Sequence, residues 1–267
     1  MLNDLLKVAE NAAQTAAKYI LAEDLSLIQK KGRTDLVTNI DTASEKIICD
    51  ILIKETPEFG ILAEERSKIN LDAEYIWVID PLDGTTNFVH GYPSYGVSVG
   101  CMQNNEPVLG VVMELPAVNL YSAVKGNGAY CNEEKISVSD TDSIENGLFV
   151  TGFGYDHDEA WEANMNLFKM FTDKSQGVRR LGAASVDLCH VASGKVDGFW
   201  EFDLHPWDTA AGFVIVREAG GMVTQMDQSS FSIFDKNILV SNRIMHDSMA
   251  MQMSLVLDNL RKSGVNV

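Results

Sequence analysis

The chain is expected to fold as an α/β layered sandwich, with an antiparallel sheet in its N-terminal half and a mixed sheet in its C-terminal half. Three observations predict this. The first half sets amphipathic helical spacing ahead of a run of alternating β segments. The second half alternates short apolar strands with helical stretches. No repeat, low-complexity stretch or long linker interrupts the 267 residues, which are read as one domain over 1–267 with two lobes, about 1–145 and 146–267.

Composition limits the function classes. Hydrophobic residues make up 46% and charged residues 22%, enough for a sizeable core. Lys and Arg number 21 against 38 Asp and Glu, a net charge of −17. That balance argues against direct nucleic-acid binding or an anionic membrane surface. No apolar segment reaches membrane-spanning length, and the N-terminus lacks the basic-then-apolar pattern of a secretory signal, so a cytoplasmic protein is expected. The four cysteines, Cys49, Cys101, Cys131 and Cys189, are scattered without zinc spacing and read as small buried residues.

Taken in order, residues 2–22 repeat Leu and Ala at helical spacing, from Leu2 and Leu5 through Ala9, Ala13 and Ala17 to Ile20. Residues 24–29 are a short strand or bend, and 30–34 an exposed basic loop. A second helix is placed over 42–55, with Asp41 or Thr42 as its N-cap and Pro57 beyond its end. Residues 60–63 form a short strand that delivers Glu64 and Glu65, and 66–74 a polar loop. Strands at 95–102, 107–113 and 120–124 make an antiparallel meander, turning first at Asn104-Asn105. Later come a strand at 148–152, a helix at 158–173 and strands at 178–181 and 197–202, with a helix at 183–193 between the last two. His205-Pro206-Trp207-Asp208 opens a helix closed by Gly220-Gly221, with Asp208 fitting the N-cap. Strands near 222–226 and 238–241 and a helix over 243–262 complete the chain.

The stretch from Trp77 to Phe88 carries the chemistry. An apolar run over 75–79 leads directly into Asp80-Pro81-Leu82-Asp83-Gly84-Thr85-Thr86-Asn87. Pro81 stiffens the link between the two acids, and Gly84 permits close approach of a backbone or ligand oxygen. Two carboxylates, backbone carbonyls and hydroxyls form an oxygen-only set that suits magnesium better than zinc. The same pattern also makes an Asx turn in which Asp83 merely caps Thr85 or Thr86. Asp41, Glu64 and Asp208 likewise sit at the ends or starts of elements, where side chains can converge. A helix N-terminus is a natural phosphate site, so Asp208 can serve both helix and ligand.

Asp80-Pro81-Leu82-Asp83-Gly84-Thr85-Thr86-Asn87 and Trp207-Asp208-Thr209-Ala210-Ala211-Gly212 resemble the two signatures of the inositol monophosphatase family, with Asp83 and Asp208 separated by 125 positions. Glu64-Glu65, Asp35-Leu36-Val37-Thr38 with Asp41, and Gly182-Ala183-Ala184 extend the resemblance over nearly the whole chain. It implies an αβαβα sandwich, a Mg2+-dependent, lithium-sensitive hydrolase of small phosphate monoesters, and a homodimer. Carried over by position, Glu64, Asp80, the Leu82 carbonyl, Asp83 and Asp208 would hold metal. Glu64 and Thr85 would activate water, with Asp41 paired to Thr85. Asp83, Gly84, Thr85, Ala184, Glu201 and Asp208 would bind substrate, most simply myo-inositol 1-phosphate. The same chemistry also serves NADP(H), fructose 1,6-bisphosphate or 3′-phosphoadenosine phosphate, although Glu201 favours a polyol hydroxyl over a nucleotide. A protein-binding role in transcription or RNA assembly, as in some bacterial relatives, is the reading from another class.

The sequence departs from the family pattern in places. Ala183 stands where Ser or Thr is common, and Arg66 stands where a small hydroxyl residue usually follows the paired glutamates, with Ser67 one position later. The lysine of the basic loop is either Lys30 or Lys31.

Overall fold

A computed structural model describes residues 1–22, 28–30, 36–154 and 156–262. In chain order, α1 (Leu2–Ala22) is followed by β1 (Ile28–Lys30) and β2 (Leu36–Thr38), which pair antiparallel as a separate two-stranded sheet. Then come α2 (Asn39–Glu55), β3 (Gly60–Ala63), β4 (Lys68–Ile69), β5 (Tyr75–Asp83) and α3 (Thr85–His90). The meander is β6 (Tyr95–Gln103), β7 (Glu106–Leu115) and β8 (Asn119–Val124), extended by the short strands β9 (Ala129–Cys131) and β10 (Glu134–Ile136). The second half contains β11 (Leu148–Thr151), α4 (Glu159–Lys174), β12 (Gly177–Arg179), α5 (Ala184–Ala192), β13 (Gly198–Phe202), α6 (Pro206–Glu218), β14 (Met222–Thr224), β15 (Asn237–Ser241) and α7 (His246–Lys262).

These elements stack as αβαβα. The eight-stranded sheet runs β10-β9-β8-β7-β6-β5-β3-β4 and is antiparallel except for the parallel pair β3 and β5. The five-stranded sheet runs β12-β11-β13-β15-β14 and is mixed, with β11 parallel to both its neighbours. Helices α1 and α2 cover one face of the larger sheet. Their buried Ala9, Ala12, Ala13, Ala16, Ile48 and Leu52 share one core with Trp77, Val97, Val99 and Val111. Helices α5 and α6 fill the space between the sheets, and α4 and α7 cover the far face of the smaller one.

Small residues let the middle layer close. A Cβ at Gly100 would stand 2.9 Å from the Ala210 Cβ, and one at Gly110 would strike the Ala211 carbonyl. Gly212 is pressed in the same way against Leu188. The Ala210-Ala211-Gly212 run therefore seats α6 on the sheet and fixes where its first turn, carrying Asp208, arrives.

Several boundaries differ from the sequence reading. Helix α2 begins at Asn39, so Asp41 lies in its first turn rather than at its N-cap. His205 caps α6 and Pro206 is its first residue, which places Asp208 at N3 instead of the N-cap. The polar loop at 66–74 contains β4, and residues 85–90 form a short helix that the Asx-turn reading did not foresee. The basic loop, with Lys31, lies outside the described residues, as does the side chain of Lys30. Among the described residues no helix is long and apolar enough to cross a membrane.

Candidate active site

Strand β5 is buried along its whole length, which accounts for the unbroken apolar run that precedes its two acids. Residues three apart on a regular strand face opposite sides. Here the register against β6 shifts between Asp80 and Asp83, and the irregularity lets both carboxylates line one cavity of about 510 Å3. Asp80 Oδ1 accepts the Leu82 N–H at 3.0 Å, and Ser44 Oγ donates to the Pro81 carbonyl at 2.7 Å. The acidic turn is thereby held from within and from α2.

Gly84 follows with φ 85°, a left-handed conformation that favours glycine. A side chain there would also crowd the Ser94 carbonyl at 3.0 Å and the Ala183 Cβ at 3.2 Å. Thr85 then opens α3, and its hydroxyl stands 2.7 Å from Asp41 Oδ1 and 3.0 Å from the Leu82 carbonyl, a donor shared between two acceptors.

Glu64 sits at the end of β3, its N–H donating to the Ile79 carbonyl at 3.2 Å. The turn after it is held by a residue that the sequence did not single out. The buried Glu45 carboxylate accepts the N–H groups of Glu65, Arg66 and Ser67 at 2.8, 3.1 and 3.0 Å, and the Ser67 hydroxyl at 2.8 Å. The hydroxyl displaced to position 67 thus ties the Glu64 turn to α2.

From the second half, α6 presents Asp208, whose Oδ2 accepts the His205 N–H at 2.6 Å. The His205 ring stacks on Trp207 with centroids 5.0 Å apart, stiffening the approach to the helix. Strand β13 presents Glu201 opposite Gly152, where any Cβ would overlap the Glu201 carboxylate. At the start of α5, Ala184 reaches the wall, and Ser185 donates through N–H and Oγ to Asp83 Oδ2 at 2.7 and 2.6 Å.

Of the residues singled out from the sequence, Glu64, Asp80, Leu82, Asp83, Gly84, Thr85, Ala184, Glu201 and Asp208 all line this cavity. Asp41 does not; it is buried behind Thr85. The cavity also gathers Phe153, Arg180, Asp203 and Lys236, which carry no local sequence signal beyond the Arg179-Arg180 pair.

The electrostatics are those of crowded acids. Burial pushes the Asp80 carboxyl well above the ordinary range, and Glu64, Asp83 and Asp208 push it further. Burial likewise drives Asp83 up to about 7, against the opposing pull of its bonds from Ser185. Glu201 is raised by burial, Asp208 and Asp83. Behind them Asp187 is fully buried, and neither carboxylate oxygen has a hydrogen-bond partner.

Carboxylates are gathered this way at the cost of their own ionisation unless a cation joins them. The donor set contains only oxygens, which fits a hard divalent ion such as Mg2+. Among the described residues no three acidic, His or Cys side chains are already drawn into a tight ligand cluster. The fit therefore rests on the donor chemistry and the mutual repulsion of the acids.

Comparison with known proteins agrees with the architecture. Residues 1–256 match the inositol monophosphatase family. The chain is 48% identical over 271 aligned residues to Phosphatase IMPL1, chloroplastic, of Arabidopsis thaliana, covering 98% of this chain and 73% of that protein. It is 37% identical to Nus factor SuhB of Pseudomonas aeruginosa, covering 91% of each. The solved inositol monophosphatase of Anabaena (Nostoc) superposes with a TM-score of 0.87 at 39% identity, covering 95% of this chain and 96% of that one.

Proposed function

The chain belongs to the inositol monophosphatase family, and from that premise we propose that it hydrolyses myo-inositol 1-phosphate to inositol and phosphate with the help of Mg2+. The observation that carries this reading is the meeting of Glu64, Asp80, Asp83 and Asp208, from three separate elements, on the wall of one cavity. Glu64, Asp80, the Leu82 carbonyl, Asp83 and Asp208 would hold the metal. When bound, Mg2+ supplies positive charge that neutralises the phosphate and lowers the pKa of an attacking water.

The chain's own groups do the rest. Asp41 accepts the Thr85 hydroxyl proton, so a proton from the attacking water passes to Glu64, or to Thr85 as Thr85 gives its own to Asp41. The Gly84 and Thr85 amides and the first turn of α6 receive the phosphate oxygens. Glu201, Asp83 and the backbone at Ala184 accept or donate to the sugar hydroxyls and set the leaving oxygen in line with the attack. Lithium inhibition, a homodimer and the two-lobe division at about residue 145 belong to the same reading.

The test is phosphate release from inositol 1-phosphate, fructose 1,6-bisphosphate, NADP and adenosine 3′,5′-bisphosphate, with and without Mg2+ and Li+. Mg2+-dependent, Li+-inhibited turnover fastest on inositol 1-phosphate is the expected outcome. Asp83→Asn and Asp208→Asn should each lower it by orders of magnitude while the fold is kept. No turnover on any of the four would overturn the assignment. The likeness to a protein named Nus factor favours, as a second reading, a partner-binding role beside catalysis. Capture of the same protein partner by wild type and Asp83→Asn, without metal, would support it.

A further inference from the structure

Helix α5 opens without a cap of its own: Ala183 occupies the N-cap position and has no side-chain acceptor to offer. The acceptor arrives from 102 residues earlier in the chain. Asp83 Oδ2 takes the Ser185 N–H at 2.7 Å and the Ser185 hydroxyl at 2.6 Å. Ser185 is fully buried, whereas Asp83 lines the cavity. The serine therefore acts on the site only through the aspartate. A carboxylate oxygen offers two lone pairs, and both Ser185 donors converge on Oδ2, with the neighbouring Ala184 N–H also drawn to the carboxylate, so that Oδ1 takes neither Ser185 bond.

We propose that Ser185 is a positioning residue for Asp83: its hydroxyl and amide clamp one carboxylate oxygen so that the other is presented, already oriented, to a divalent cation. The proposal rests on the metal-dependent phosphatase reading of the site. The clamp is charge-assisted and spans two elements, strand β5 and helix α5, so it fixes the rotamer of Asp83 against two parts of the fold at once. Ser185→Ala keeps the N–H, and with it the helix cap, while removing only the hydroxyl. A purely structural serine would then show its loss in stability alone.

Mn2+ is the probe, titrated into metal-free protein without substrate and followed by the electron paramagnetic resonance of free Mn2+, alongside steady-state kinetics with Mg2+. Groups that orient a metal ligand typically contribute about 10- to 100-fold in affinity or activity. Ser185→Ala should accordingly bind Mn2+ about tenfold or more weakly and lose kcat at saturating Mg2+, with KM for substrate little changed. Ser185→Thr, which restores a hydroxyl, should recover much of the affinity. Wild-type Mn2+ affinity in a folded Ser185→Ala would overturn the proposal, whatever its melting temperature. If Ser185→Thr fails to fold, the alanine titration still decides. A wild-type protein that neither binds Mn2+ nor releases phosphate would show that the functional reading itself is wrong, and this inference falls with it.

Discussion

The Thr85 hydroxyl lies 2.7 Å from Asp41 Oδ1, joining the first turn of α3 to the first turn of α2. Asp41 is buried and off the cavity wall, whereas Thr85 is on it, so the aspartate acts on the site through the threonine. A hydroxyl that donates to a buried carboxylate keeps its lone pairs turned elsewhere, able to accept a hydrogen bond from water and to relay a proton by passing its own to Asp41. Thr85→Ala and Asp41→Asn should each lower kcat by roughly 10²- to 10⁴-fold, the usual range for a positioned proton acceptor. Thr85→Ser, which keeps the hydroxyl, should retain most of the rate. Saturation kinetics measure this directly, and full activity in Thr85→Ala would remove the residue from the mechanism.

Gly152 faces Glu201 so closely that a single methyl group would displace the carboxylate. Glu201 is the group proposed to take a sugar hydroxyl, and a hydrogen bond to a charged group is worth about 1.5–3 kcal/mol. Gly152→Ala should raise KM for inositol 1-phosphate by roughly tenfold or more, with a smaller effect on kcat. Phosphate release from a substrate lacking ring hydroxyls, such as 4-nitrophenyl phosphate, should change little. Equal losses on both substrates would mean that the glycine serves the fold instead of the sugar.

These two relationships differ in how far they could be read from the sequence. Asp80, Asp83 and Asp208 were legible as acids at turns because Pro81, Gly84 and Pro206 mark those turns and turn chemistry is local, whereas their gathering at one site came from the resemblance of the two motifs. The alternation of the meander strands, and the small residues at 210–212, were local in the same way. Ser185, Glu45 and Gly152 were not legible. Each acts on a residue brought near only by the packing of separate elements, and a serine after two alanines carries no sign of the carboxylate it will meet. The short α3 was hidden because six residues after a left-handed glycine also suit a turn. Strands β9 and β10, three residues each, are too short for alternation to reveal them.

Asp80 is nearly inaccessible, and its carboxyl is raised by burial and then by three neighbouring acids. In metal-free protein it is a source of repulsion, so Asp80→Asn should stabilise the fold while abolishing turnover. The amide oxygen can still accept the Leu82 N–H, which now goes to Asp80 Oδ1. Relief of about 1–2 kcal/mol corresponds to a rise in Tm of roughly 3–6 °C for a chain of this size. Wild type should gain stability on adding Mg2+, because the ion binds only the folded site, and Asp80→Asn should lose most of that gain. Scanning calorimetry in EDTA and in Mg2+ would show both effects. A variant less stable than wild type in EDTA, yet equally responsive to Mg2+, would contradict this account of the site.

Glu114, on β7, ties the meander to the middle layer. Its carboxylate takes His190 Nε2 at 2.9 Å, Asn119 Nδ2 at 2.9 Å and the Tyr121 hydroxyl at 3.3 Å, with Lys195 Nζ 3.6 Å away. Burial alone would raise its pKa, but the bonds from His190 and Asn119 and the charges of His190 and Lys195 outweigh that effect and hold it at about 2 against the ordinary 4.5. A carboxyl lowered on folding contributes its full stability above the unfolded value and loses it as pH falls toward the folded one. The window therefore runs from about pH 4.5 down to about pH 2, and the difference corresponds to at most about 3 kcal/mol, reduced by solvent screening of the half-exposed Lys195 pair. Glu114→Gln should be less stable than wild type by up to that amount at pH 7, and the gap should narrow steadily between pH 5 and pH 3. Urea unfolding of both proteins across this range would test it, since a gap that stays constant with pH would mean that the ionised carboxylate is not what holds the meander to α5.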